Sequence, residues 1–130
     1  DIGGQKIGIV SALATDTVDT SSPGDNVKFM DEIAALREDV AKMEANGINK
    51  IIALTHVGLP MDIKIAKSVP GIDLVIGGHS HTKMLNEEGS NYSYPEMVGS
   101  VPVVQAYAYT KYLGKLTVSF DGSGNVTSAK

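Results

Sequence analysis

Residues 50–81 read KIIALTHVGLPMDIKIAKSVPGIDLVIGGHSH, and two patterns alternating within this stretch decide the fold class. Lys50 to Thr55 is a short apolar run of the kind that forms a buried strand, and it ends abruptly at His56-Val57-Gly58. Met61, Ile65 and Val69 then recur at four-residue spacing with Ala66 beside them, which predicts a short helix stopped by Pro70-Gly71. Ile72 to Ile76 repeats the strand signature and runs into Gly77-Gly78-His79-Ser80-His81.

Upstream, Lys6 to Ala12 has the same strand character and is entered from the turn Gly3-Gly4. Thr15 to Asn26, rich in Ser, Thr and Asp and carrying Pro23-Gly24, reads as a loop. Ile33, Leu36, Val40 and Met43 follow at three- and four-residue spacing, an amphipathic helix with Asp31 as N-cap and Gly47 just past its end. Glu32, Glu38, Asp39 and Lys42 read as its solvated face, with Glu38 and Lys42 an i,i+4 pair. The order β-α-β-α-β predicts an α/β sheet of mainly parallel strands with its chemistry on loops at the strand C-terminal ends. Downstream, Asn86 to Ser100 reads as a polar surface loop. Pro102 to Tyr109, Gly114 to Phe120 and Asn125 to Ala129, with a turn at Asp121-Gly122-Ser123-Gly124, read as antiparallel strands. Alternation along the first of these puts Tyr107 and Tyr109 on one half-buried face rather than in a base-stacking patch.

A chain of 130 residues with 42% apolar and 20% charged side chains is long enough for one domain with a real core and is not a disordered composition. The net charge of -4 with scattered basic residues argues against a nucleic-acid polymer as partner, since phosphate backbones require clustered cations. No apolar run approaches the roughly 20 residues that span a bilayer. With no Cys, any metal must be held by His and oxygen ligands. The start at Asp1, almost directly on a strand and without a signal-peptide pattern, fits a fragment or a mature piece of something longer, and a complete small domain can begin the same way.

All three His residues, His56, His79 and His81, follow an apolar strand in a Gly-flanked turn. Loops of this kind let imidazoles converge over one sheet edge, and imidazole suits Zn, Mn, Fe, Co or Ni alike. The same residues also read as exposed turn histidines, with His56 hydrogen-bonded at a strand end. Ser80 lies between two His, but no nucleophile elbow surrounds it.

Taken in order, Thr55-His56-Val57-Gly58, Gly77-Gly78-His79-Ser80-His81-Thr82, Val103-Val104-Gln105-Ala106-Tyr107 and Lys111-Tyr112-Leu113-Gly114 resemble the 5'-nucleotidase and UDP-sugar hydrolase family of calcineurin-like metallophosphoesterases. The resemblance covers nearly the whole chain. It implies part of a four-layered α/β/β/α sandwich with two divalent metal ions, Zn, Mn or similar. His56 and His79 would bind one ion and His81 the other, with Gly77 and Gly78 shaping the loop. Relatives of this kind hydrolyse nucleoside 5'-monophosphates or related phosphoesters by metal-activated water and are usually exported, which implies a periplasmic or extracellular location.

The family's Asp-x-His, Gly-Asp and Asn-His-Glu segments do not occur here, nor does its substrate-binding domain. Residues 1–130 are therefore expected to be the C-terminal portion of a catalytic domain, with no catalytic residue of their own and negligible activity alone. Half a sandwich should expose an apolar sheet face, which implies self-association or pairing with the missing N-terminal half. Two alternatives stand beside this. One is another enzyme of the same fold: a cyclic-nucleotide phosphodiesterase, UDP-sugar hydrolase or sulfur-ester hydrolase. The other is a non-catalytic metal- or partner-binding remnant.

Overall fold

In the computed structural model, which describes residues 1–130, the elements run β1 (Gly8–Leu13), α1 (Thr17–Thr20), α2 (Glu32–Ala45), β2 (Ile51–His56), α3 (Leu59–Ser68), β3 (Leu74–Ile76), β4 (Glu96–Val98), β5 (Val101–Val104), β6 (Val118–Phe120) and β7 (Val126–Ala129). Strands β1, β2, β3 and β5 are parallel and β4 lies antiparallel on the outer side of β5, giving the order β1-β2-β3-β5-β4. Strands β6 and β7 form a separate hairpin. The fold is α/β, as the alternating patterns predict.

The strand order explains where the helices lie. Each parallel crossover adds its strand on the same side of the previous one, and crossovers share one hand, so α2 and α3 must pack on the same sheet face. Across that face Val10, Ala53, Val75 and Val103 stand in register and are buried. Leu36 and Val40 of α2 and Ile65 of α3 close over them. The adjacent rows point the other way, because side chains alternate along a strand. There Ile9 is 60%, Leu13 49%, Leu54 52% and Ile76 37% exposed, so the opposite face is apolar and open over β1, β2 and the end of β3.

Helix α2 begins where its cap predicts: the Asp31 carboxylate accepts the Ala34 N–H at 2.8 Å, and Gly47 leaves the helix with φ 74°. The Glu38–Lys42 pair forms at 2.9 Å on the solvated side. Glu32 departs from its expected solvated position. It is buried, and its carboxylate accepts the Thr15 N–H at 2.9 Å, satisfying a loop donor that no strand reaches.

The expected loop at Thr15 to Asn26 contains the short helix α1. In the C-terminal third, β5 is parallel to β3, which corrects the antiparallel expectation for this strand. The expected surface loop at Asn86 to Ser100 contains β4, turned back onto β5 through Gly99. The strand expected over Pro102 to Tyr109 stops at Val104. Tyr107, Tyr109 and Thr110 adopt left-handed backbone (φ 60°, 56° and 56°), which no strand can hold. Tyr107 and Tyr109 therefore do not share a strand face: Tyr107 meets Tyr112 and Tyr109 meets His81.

Two buried polar residues brace the sheet edge from the helix side. Asp62, fully buried in the first turn of α3, accepts from Thr55 Oγ1 at 2.5 Å, while its Oδ2 has no hydrogen-bond partner. Its carboxylate occupies the space that a Cβ at Gly77 would need. Burial of the charged form pushes the Asp62 carboxyl from its ordinary 3.8 up to about 6, against the opposing pull of the Thr55 hydrogen bond.

Leu36 is completely buried between α2 and the sheet, and Leu36→Ala is expected to cost about 2–5 kcal/mol of unfolding free energy, read by urea denaturation. Asp62 sets a pH dependence of defined sign. Its folded pKa is raised, so the stability contributed by the neutral carboxyl is complete below 3.8 and lost as pH rises through about 6. Relative to Asp62→Asn, the wild-type chain is expected to lose stability on the order of 1–3 kcal/mol between pH 4 and 8. Parallel curves for the two proteins would exclude this role for Asp62.

Candidate metal centre

The parallel register delivers four strand ends to one edge of the sheet. Strand β1 ends at Leu13, opposite His56, and passes into the turn that holds Asp16. Strand β2 ends at His56, β3 leads into Gly77-Gly78-His79-Ser80-His81, and β5 leads into Gln105. The β2 and β3 loops are joined by the main-chain hydrogen bond from Gly58 N to Gly78 O, 3.1 Å. Glycine is needed on both sides of that join. A Cβ at Gly78 would lie 3.0 Å from His56 Nδ1, and one at Gly58, whose φ is 86°, would lie 3.6 Å from His79 Cδ2.

Held this way, the His56 and His79 rings meet edge to face with centroids 5.2 Å apart. Asp16 Oδ2 stands 3.4 Å from His79 Nε2. Two imidazoles on one tetrahedral ion, with Zn–N bonds of about 2.1 Å, have ring centroids roughly 5 Å apart. The donor set of two imidazoles and a carboxylate suits a divalent ion in type, and the separation of the two rings alone suits a shared ion. The set is incomplete: no group of three or more His, Asp or Glu side chains closes on a common point.

His81 stands apart from that pair. It is exposed, with its ring edge to face against Tyr109 at 5.2 Å. The backbone is left-handed at both His79 (φ 78°) and His81 (φ 51°), at a cost of about 1 kcal/mol or more per residue. Ser80 engages neither histidine by hydrogen bond. Its Oγ accepts the Leu59 N–H at 3.0 Å and lies 2.8 Å from Thr82 Oγ1, which leaves no basis for a serine nucleophile.

Sequence reasoning brought His56, His79, Gly77 and Gly78 to this edge and missed Asp16, which the turn after β1 sets beside His79. It also missed Gln105. That side chain is 2% exposed, and its amide bonds to Gly78 O, Ser80 Oγ and Thr82 N. Position 105 is in phase with the covered row through Val103, a signal that a polar residue there needs buried partners.

The sequence matches 5'-nucleotidases, and the backbone matches these and other hydrolases. The chain is 45% identical to mouse 5'-nucleotidase over 98% of its own length and 24% of the mouse protein. The snake venom 5'-nucleotidase of Crotalus adamanteus is 43% identical over 97% of the chain and 23% of its own length. Among solved structures, a 5'-nucleotidase precursor from Thermus thermophilus superposes with a TM-score of 0.93 at 34% identity, covering 98% of the chain and 27% of that protein. The NAD nucleotidase of Haemophilus influenzae superposes at 0.89 and 35% identity, over 99% of the chain and 28% of its own. No family model matches the chain. The chain spans about a quarter of the length of the curated relatives it matches, and by sequence and backbone together it belongs to the 5'-nucleotidase family.

Proposed function

We propose that the chain supplies the histidine-bearing edge of a two-metal phosphoesterase site acting on nucleoside 5'-monophosphates. The observation that carries this reading is the 5.2 Å approach of His56 and His79 beside Asp16, at the C-terminal edge of parallel strands, within a segment shared with 5'-nucleotidases. His56 and His79 would hold one ion and His81 the second. Bound divalent ions such as Zn or Mn lower the pKa of a bound water and neutralise phosphate oxygens. The chain's own residues orient the imidazoles: Gly78 admits the His56 ring, Gly58 turns the chain with a φ of 86°, Gly77 admits Asp62, and Thr55 ties that carboxyl to the end of β2.

On this reading residues 1–130 are the C-terminal portion of a catalytic domain, and the other metal ligands, the catalytic His and the substrate-binding domain belong to the rest of the protein. The open apolar face of Ile9, Leu13, Leu54 and Ile76 is then the face that the other half of a four-layered sandwich covers, or a second copy of the chain in its absence. Location follows the relatives named as a precursor and as venom proteins: periplasmic or extracellular. No helix is long and apolar enough to cross a membrane. The likeness to the NAD nucleotidase favours a second reading within the same chemistry, in which the phosphoester is a larger nucleotide.

Phosphate release from AMP with added Mn2+ or Zn2+ is expected at background level for the chain alone and well above it when the remainder of the protein is present. Robust release by the chain alone would refute the division of the site. Zn2+ titrated into the chain should shift the imidazole NMR signals of His56 and His79 together, and His79→Ala should abolish the response at His56. Independent responses of the two rings would refute a shared ion. Sedimentation should find the chain self-associating, with Ile9→Glu combined with Leu54→Glu shifting it toward monomer. A strictly monomeric wild-type chain would count against the covered face.

A further inference from the structure

We propose that Gln105 is the positioning residue of the histidine loop, fixing where His79 and His81 stand relative to each other and to His56. The inference rests on the reading of those histidines as metal ligands and adds a residue that touches none of them. Gln105 Nε2 donates to Gly78 O at 3.1 Å and lies 3.2 Å from Ser80 Oγ. Its Oε1 accepts the Thr82 N–H at 2.5 Å and lies 3.3 Å from Ser80 Oγ. One buried amide thus holds residues 78, 80 and 82, the three that alternate with the two histidines. With the even positions turned to the amide, 79 and 81 are left to project at the sheet edge.

The rest of the loop is pinned at its ends. Gly77 N donates to Val104 O at 2.8 Å and Tyr107 N to Thr82 O at 3.2 Å, while Ser80 Oγ carries the clamp on to Leu59 N at the start of α3. Gly78 O also accepts from Gly58 N and Ser80 N, so the carbonyl that Gln105 grips is the one joining the His56 loop to the His79 loop. The chemistry calls for glutamine. A donor and an acceptor are both required on one buried neutral group. Asn is a methylene short, and the carboxylate of Glu would face the Gly78 carbonyl with no proton to give. The left-handed backbone at His79 and His81 persists only where surrounding contacts over-determine it, and the Gln105 amide supplies the side-chain contacts between its two ends.

The test uses the 130-residue chain with two readouts: amide hydrogen exchange at Thr82, and Zn2+ affinity from the imidazole NMR signals. Gln105→Met, similar in length and without polar atoms, is expected to speed Thr82 exchange and raise the Zn2+ dissociation constant by about tenfold each, the equivalent of one hydrogen bond. Gln105→Glu, which sets a carboxylate against the Gly78 carbonyl, should raise the Zn2+ dissociation constant as Gln105→Met does, and wild-type Zn2+ affinity in this variant would overturn the need for a donor. Ile65→Val, a small truncation in the core, should lower the melting temperature and leave both readouts unchanged. Unchanged Thr82 exchange in Gln105→Met overturns the proposal, as does an equal loss of Zn2+ affinity in Ile65→Val. If the wild-type chain takes up no Zn2+, the metal reading fails by itself and the exchange arm still decides Gln105. Should Gln105→Met not fold, Ser80→Ala removes one strand of the clamp and must show the same effects at about threefold size, or the proposal falls.

Discussion

The structure depends on the parallel pairing of β1, β2, β3 and β5 in a single direction of growth. Parallel strands end together, so every loop that leaves a C-terminal strand end leaves from the same edge. Asp16, His56, His79 and Gln105 are far apart in the chain and meet there for that reason alone. The one-directional strand order has a second consequence: with crossovers of one hand, both long helices fall on the same face. The histidine edge and the uncovered apolar face are thus two outcomes of one topology.

Local chemistry at the edge is governed by space. Gly77 yields its side-chain volume to the Asp62 carboxyl, and Gly78 yields to the His56 ring. An alanine at Gly77 would collide with the buried Asp62 carboxylate, and one at Gly78 would press on the His56 ring. The left-handed backbone at His79 and His81 costs on the order of 1–3 kcal/mol per residue. The Gln105 amide and the Ser80 hydroxyl return about 1 kcal/mol for each hydrogen bond, enough together to hold the loop in one shape. Asp62 works in the opposite sense. Its unpartnered oxygen is tolerable while the carboxyl is neutral, which is why burial raises its pKa.

Much of this was legible in the sequence because it lies in short-range pattern. The Ile-rich runs before Gly-flanked turns gave β2 and β3, and the spacing of Leu36 and Val40 gave the buried stripe of α2. The strand-end histidines marked the edge, and the likeness of their flanking residues to 5'-nucleotidases identified the family. What escaped were polar residues that face inward. Asp62 lies three residues after buried Leu59 and three before buried Ile65, so it belongs to the buried stripe of α3, which the spacing of Met61, Ile65 and Val69 does not mark for a charged residue. Glu32, read as part of the solvated face of α2, is likewise buried. Gln105 follows Val103 by two residues on the covered row, but the strand breaks after Val104, and the left-handed turn at Tyr107 has no glycine to announce it.

The position of His56 links the open face to the site. It ends the β2 row of Ile52 and Leu54 and pairs with Leu13 across β1, so its ring belongs to the uncovered face and not to the helix side. Any body that covers Ile9, Leu13 and Leu54 also arrives beside His56. On the reading of an incomplete metal centre, burial of the face and completion of the ligand set are then one event. Apolar burial at about 25 cal/mol per Å2 drives docking, and an ion held jointly by both bodies adds its binding free energy to the same equilibrium. A chain that has only the histidine edge can be expected to hold metal weakly for a thermodynamic reason as well as a stereochemical one: the surface that should bring in the remaining ligands is still facing water.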